Sequence, residues 1–201
     1  MTGIISSPRT ATFSRSTKET QISLTLNLDG TGKADITTGL GFFDHMITLF
    51  AAHSLIDLTL QCNGDLHVDG HHTVEDCGIV LGQAFVEALG DKAGLRRYGH
   101  FTLPMDETLA TAVIDFSGRS CFVYNVAFLS AQVGQFDTEL VREFWQGFVT
   151  AAKCTFHLTL HYGTNGHHIS EALFKAAARC IREAIEIDSR QKSIPSTKGV
   201  L

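Results

Sequence analysis

Two stretches carry the same set of metal-ligating side chains, DGHHTVED at residues 69–76 and NGHHISEA at residues 165–172. In each, two adjacent histidines are followed by a glutamate four places after the first of them. On a helix, His71 and Glu75 project from one face and reach one ion, and so do His167 and Glu171. His72 and His168 are turned away by about 100° and must face something else. Adjacent histidines split in this way suggest two different metals per motif, with a neighbouring subunit as one location for the second. Imidazole nitrogen mixed with carboxylate oxygen, and no thiolate, favours divalent ions of octahedral habit such as Mn, Fe or Co, with Zn as the competitor. A single set of this kind reads as readily as a capped, solvent-facing helix start. Two sets in matched positions read as metal sites.

Other residues are candidates for the same chemistry. His45, in FFDHM, is a further ligand candidate, and the corresponding place in the second half of the chain falls at Glu143 in REFW. His53, His67, His100, His157 and His161 read as surface or strand histidines. Glu19 in RSTKET reads either as a solvated residue opening the first strand or as a catalytic carboxylate, and Asp106 in PMDE reads as a turn former or as a second acid. Arg97, Arg119, Lys175, Ser196 and Lys198 are scattered along the chain, and only folding decides whether they surround one anion.

The elements that must position these groups follow from hydrophobic period. Ile22, Leu24, Leu26 and Leu28 alternate along a strand, DGTGK turns, and ADITT starts another strand. GFFDHMITLFAAHSLID has helical spacing, LTLQCNGDLHVDG returns to strand and turn, and a helix runs from His71 to near Gly90. Residues 101–128 hold two or three strands, DTELVREFWQGFVTAAKC is helical, TFHLTLHYGTNG is strand and turn, and the second His-His pair opens a final helix. Each half is thus strands, helix, strand, helix. Order, polarity and motif all recur after roughly 96 residues, a period too long for a solenoid and indicative of duplication. The expected fold is α+β, an internally duplicated pair of small sheets, each covered by two helices and related by a pseudo-twofold axis. A flexible tail is expected over 1–12, the first half over 13–95, the second over 96–190, and a basic tail over 191–201.

Composition excludes several classes. The 201 residues have 44% hydrophobic and 18% charged content, as in a globular protein, and a formal charge of −5 with dispersed Lys and Arg argues against nucleic acid as partner. No apolar run approaches the roughly 20 residues needed to cross a bilayer, and the polar N-terminus lacks a signal peptide's apolar stretch. Five widely spaced cysteines without a C-x-x-C read as reduced thiols of a cytoplasmic chain.

Taken with RSTKET (15–20), GFFDHM (41–46), RRYGH, PMDE, DFSGR, the TELVREFW helix, GTNGHHISEALFKA (163–176) and PSTKG (195–199), the chain resembles the imidazoleglycerol-phosphate dehydratase family of histidine biosynthesis, in its form without an added N-terminal phosphatase domain. The resemblance implies a ribosomal protein S5 domain 2-like fold in each half. It implies a homo-oligomer of about 24 subunits built from trimers, with active sites between subunits and two Mn ions per site. It makes His45, His71, His72, Glu75, His167, His168 and Glu171 ligands and Glu19 an acid/base group. It assigns the substrate phosphate to Arg97, Arg119, Lys175, Ser196 and Lys198, which gives the basic tail a reason to order. Many family members carry histidine where this chain has Glu143, an oxygen donor that keeps a metal site but changes its coordination.

The implied reaction removes water from imidazole glycerol phosphate to give imidazole acetol phosphate. No carbonyl acidifies the proton to be lost. A metal-bound imidazolate that expels the hydroxyl to form a diazafulvene-like intermediate would overcome this, with Glu19 as base and Asp106 orienting substrate or relaying protons. The competing readings are a two-metal hydrolase of a phosphorylated small molecule and a structural metal-binding shell.

Overall fold

The computed structural model describes residues 8–201. Strands β1 (Thr10–Ser16), β2 (Thr20–Asn27) and β3 (Ala34–Thr37), helix α1 (Gly41–Ser54), strand β4 (Asp57–Gly64) and helix α2 (His71–Leu89) make the first half. The second half consists of β5 (Tyr98–Met105), β6 (Thr108–Asp115), β7 (Cys121–Asn125), a short hairpin β8 (Gln132–Val133) and β9 (Phe136–Asp137), α3 (Leu140–Ala152), β10 (Thr155–Tyr162) and α4 (Gly166–Ala184). The sheets have matching orders, β1-β2-β4-β3 and β5-β6-β10-β7, each with one parallel pair at the β3 or β7 edge.

Register explains which faces are buried. In the first sheet Ile22, Leu24 and Leu26 lie opposite Cys62, Leu60 and Leu58, so their side chains share one dry face. In the second, Ala110, Ala112 and Ile114 face Leu160, Leu158 and Phe156. The small residues on β6 admit α4, and Gly99 on β5 does the same: a Cβ there would lie 1.9 Å from the Cys180 carbonyl oxygen. Helices α1 and α2 pack on the first sheet and α3 and α4 on the second, while α2 meets α3 and α1 meets α4 across the halves. Phe43, Phe50, Phe85, Phe144, Trp145, Phe148 and Phe174 fill this helical layer and are fully buried.

The two-half architecture is as expected, with local differences. Strand β1 starts at Thr10, so residues 10–12, expected in a flexible tail, are strand, zipped to β2 from Thr10↔Asn27 to Ser16↔Gln21. Residues 1–7 of that expected tail lie outside the described residues. Glu19 consequently sits in the turn between β1 and β2 rather than opening the first strand. The tail after residue 190 has no regular structure but is held: Gly94 donates to the Ser193 carbonyl at 3.1 Å and Arg97 Nη1 donates to that of Pro195 at 2.8 Å.

The α2–α3 crossing is a backbone-to-backbone contact made possible by glycine. A Cβ on Gly78 would lie 2.3 Å from the Phe144 oxygen, one on Gly82 2.5 Å from the Phe148 oxygen, and one on Gly147 2.7 Å from the Glu75 oxygen. Each mid-helix glycine costs roughly 1 kcal/mol of helix propensity relative to alanine, and the close approach offsets it by setting the turn that carries Glu75 directly on α3. Gly78→Ala is therefore expected to destabilise the protein by about 1–3 kcal/mol despite its better propensity, read as a lower urea midpoint. A stabilised variant would show that the helices do not meet this closely.

Candidate metal centre

Both His-His pairs open helices, and local capping puts them there. The Asn165 side chain accepts from the backbone N–H of His167 at 2.9 Å and of His168 at 3.4 Å. Asp69, at the same place in the first motif, accepts from His71 N–H at 2.8 Å. The imidazoles themselves are not consumed in capping and project from the first turn.

Around the second His-His pair the expected ligands converge. His45 Nε2 and His167 Nε2 lie 3.0 and 2.9 Å from the same oxygen of Glu171, Oε1, and the donor atoms of these three residues lie within 4.8 Å of one another. Helix α1 brings His45 to α4, so the contact joins the two halves of the chain. Lys175 Nζ donates to the other Glu171 oxygen at 2.5 Å. Two half-exposed imidazoles around a buried carboxylate form an N,N,O donor set with the softness of a first-row divalent cation site.

The first-half set is more open. His71 Nε2 stands 3.7 Å from Glu75 Oε2, both side chains about two-fifths exposed. Glu143 bonds to Arg142 Nη1 at 3.1 Å. Among the described residues these groups form no cluster of three donors, so an ion held by His71 and Glu75 needs ligands from elsewhere.

The second histidines face separate carboxylates, as their rotation requires. His72 Nδ1 lies 3.0 Å from Asp65 Oδ2, and its Nε2 3.8 Å from Glu19 Oε1. His168 Nδ1 lies 2.7 Å from Glu107 Oε2, and its Nε2 3.6 Å from Asp106 Oδ2. Asp65 holds the His72 imidazole above its ordinary pKa, and Glu107 does the same to His168. Glu107 is itself held far below the usual carboxylate range, first by His168 and then by the Asn165 backbone N–H. Sequence reasoning missed both carboxylates. For Glu107 a signal existed, since the turns Lys18-Glu19 and Asp106-Glu107 both precede a threonine that opens the next strand; Asp65 has no such counterpart.

The scattered cations come together in part. Arg97, Arg119, Ser196 and Lys198 line one open groove of about 640 Å³ formed by the C-terminal tail; Lys175 does not line it and remains beside Glu171. Arg97 is already engaged, with Nε and Nη2 on Asp115 at 2.6 and 3.0 Å and Nη1 on the Pro195 carbonyl, leaving N–H donors on both terminal nitrogens. Arg119 is exposed, and among the described residues its guanidinium makes only a 3.5 Å contact with the Ser117 carbonyl. Of the histidines set aside, His157 and His161 lie on β10, and His161 Nε2 bonds Thr111 Oγ1 at 2.7 Å.

Burial alone would raise the Glu171 carboxyl, but hydrogen bonds from Lys175, His45 and His167 outweigh it and hold the group down to about 2. Because the folded value is depressed, the stability these bonds contribute to the metal-free protein is complete above the ordinary glutamate value of 4.5 and is lost as pH falls through about 2. The urea midpoint of metal-free protein is expected to drop across that interval, and Glu171→Gln to flatten the drop. Parallel profiles for the two proteins would contradict the assignment.

Comparison with known proteins fits this geometry. A profile of the imidazoleglycerol-phosphate dehydratase family matches residues 38–181. The chain is 57% identical over 195 residues to the imidazoleglycerol-phosphate dehydratase of Rhodopirellula baltica, covering 97% of this chain and 96% of that one. It is 59% identical over 194 residues to that of Cereibacter sphaeroides strain ATCC 17029, covering 96% and 100%. The solved structure of the Staphylococcus aureus dehydratase matches with a TM-score of 0.82 at 40% identity, over 89% of this chain and 99% of that one. The Pyrococcus furiosus structure matches with the same score at 33% identity, over 94% and 100%. The chain, with its paired histidine-glutamate sets on a duplicated sheet-and-helix frame, belongs to the imidazoleglycerol-phosphate dehydratase family.

Proposed function

We propose that the protein is a metal-dependent hydro-lyase that converts imidazole glycerol phosphate to imidazole acetol phosphate and water. The observation that carries this reading is the convergence of His45, His167 and Glu171 from two helices in a chain of this family. That donor set fits manganese, two ions per active site being the expected complement. His71, His72, Glu75, Glu143 and His168 supply the remaining donors, and because the first-half set is open within one chain, sites shared between subunits of a large homo-oligomer of about 24 copies complete it. Catalysis takes place in the cytoplasm.

Bound divalent ions supply Lewis-acid polarisation of the substrate's imidazole ring. The chain's own groups do the rest. Arg119, Lys198 and Ser196, with the free N–H donors of Arg97, hold the phosphate at the groove, and Lys175 meets the bound substrate from the side of Glu171. That anchor, remote from the reacting carbons, orients the ring toward the histidines. The hydroxyl leaves from the carbon attached to the ring. Glu19, whose carboxylate makes no hydrogen bond among the described residues and lies 3.8 Å from His72 Nε2, takes the proton from the neighbouring carbon. The resulting enol becomes the ketone, and Asp106, placed likewise beside His168 Nε2, orients substrate or relays the proton.

Product analysis tests the reading. Dehydration leaves the phosphate on the product, whereas hydrolase action releases it. Glu19→Gln is expected to lower kcat by about 10²- to 10⁴-fold with manganese content unchanged. Arg119→Ala is expected to raise KM about 10- to 100-fold, again with unchanged manganese. Phosphate release by the wild type, full activity of Glu19→Gln, or loss of metal from Arg119→Ala would each contradict it.

A further inference from the structure

The two hairpin turns are equivalent by register, yet their glutamates do different things. Both turns have two residues, Lys18-Glu19 between β1 and β2 and Asp106-Glu107 between β5 and β6, and both are followed by a threonine that opens the next strand. Glu107 is therefore the counterpart of Glu19, and Asp106 that of Lys18. Among the described residues the Glu19 carboxylate makes no hydrogen bond, and it stands 3.8 Å from His72 Nε2. Glu107 is tied down on both oxygens: Oε2 to His168 Nδ1 at 2.7 Å, and Oε1 to the backbone N–H groups of Asn165 at 2.9 Å and Thr164 at 3.2 Å. In the first half the corresponding hold on His72 Nδ1 comes from another loop, through Asp65 after β4, at 3.0 and 3.2 Å from its two oxygens. Asp65 also donates its backbone N–H to the Glu19 carbonyl at 3.0 Å, which fixes the turn that carries Glu19.

We propose that Glu107 and Asp65 are positioning residues that hold the Nδ1–H of His168 and His72 and so present Nε2 of each as the ligating nitrogen, while Glu19 and Asp106 stay free for the substrate. The inference rests on the metal-dependent reading above. A neutral imidazole carries one N–H, and a carboxylate at Nδ1 places it there and leaves the Nε2 lone pair for an ion. Each half reaches this arrangement with non-equivalent residues: Glu107 took the holding role and Asp106 the facing one in the second half, and Asp65 released Glu19 in the first. The sequence twin of the proposed base is thereby a support for a ligand and not a second base.

The two carboxylates respond differently to amidation, which makes the test sharp. In Glu107→Gln the amide oxygen must stay on the Asn165 and Thr164 N–H groups, so the NH2 group meets His168 Nδ1. The ring must then accept at Nδ1 and carry its proton on Nε2, where it blocks ligation. Among the described residues the Asp65 carboxylate has no such second commitment, so in Asp65→Asn the amide oxygen can turn to His72 Nδ1 and keep the tautomer, whereas Asp65→Ala removes the acceptor. Full-length protein stripped of metal would be titrated with Mn(II), following the paramagnetic resonance signal of the free ion, with circular dichroism and thermal unfolding of each metal-free variant as the structural control. Glu107→Gln and Asp65→Ala are expected to weaken manganese binding by about 10- to 100-fold, Asp65→Asn to stay close to wild type, and Glu19→Gln to bind as wild type does. If Glu107→Gln does not fold, the Asp65 pair decides alone. Wild-type affinity in Asp65→Ala, or an equal loss in Asp65→Ala and Asp65→Asn, overturns the proposal. A wild-type protein that takes up no manganese overturns the functional reading and this inference with it, whereas wild-type uptake matched by every variant overturns the inference alone.

Discussion

An imidazole presented at the first turn of a helix loses its direction unless something outside the helix holds it, because the first turn has free N–H groups and little packing around it. Here each His-His pair is held twice. Asp69 and Asn165 cap the backbone beneath the rings, and carboxylates from the sheet side reach the rings themselves. The second contact ties the mouth of the helix to the sheet on which it packs. Glu107 bonds the backbone before α4, the cap residue and a ring at once, so the β5–β6 turn and the α4 N-terminus move as one body. The aromatic layer, the glycine-mediated crossing of α2 and α3 and the matching strand orders all serve to keep those helix mouths at fixed positions.

Duplication explains why such a frame exists twice, and divergence explains why the halves are not interchangeable. The α1–α4 contact assembles His45, His167 and Glu171 within one chain, whereas the matching α2–α3 contact leaves His71 and Glu75 open, with Glu143 paired to Arg142. Close approach of α2 to α3 through Gly78, Gly82 and Gly147 has no counterpart where Phe174 stands in α4. One half thus carries the better-closed ligand set and the other the more exposed one.

Much of this was legible in the sequence because it is local. The Asx-Gly-His-His starts, the four-residue spacing to glutamate, and the alternation of Ile22, Leu24 and Leu26 each follow from one element's own period. Strand β1 was not legible, since its only apolar positions are Ala11 and Phe13 and its pairing with β2 supplies the order. The β8–β9 hairpin was missed because four strand residues carry no periodic signal. Glu107 was hidden by its neighbour Asp106, a conspicuous turn former with φ of 49°. The gathering of Arg97, Arg119, Ser196 and Lys198 depends on the Arg97 bonds to Asp115, 18 residues on, and to the Pro195 carbonyl, 98 residues on, contacts that no local pattern encodes.

Metal content per chain, measured on protein purified without added metal or chelator and paired with its mass in solution before and after chelation, decides whether the histidine sets are metal ligands completed between copies of the chain. About two manganese ions per chain are expected, in a very large particle that falls to small oligomers when the metal is removed. A metal-free monomer with the same fold would contradict it and leave the paired histidines as solvent-facing residues at two capped helix starts.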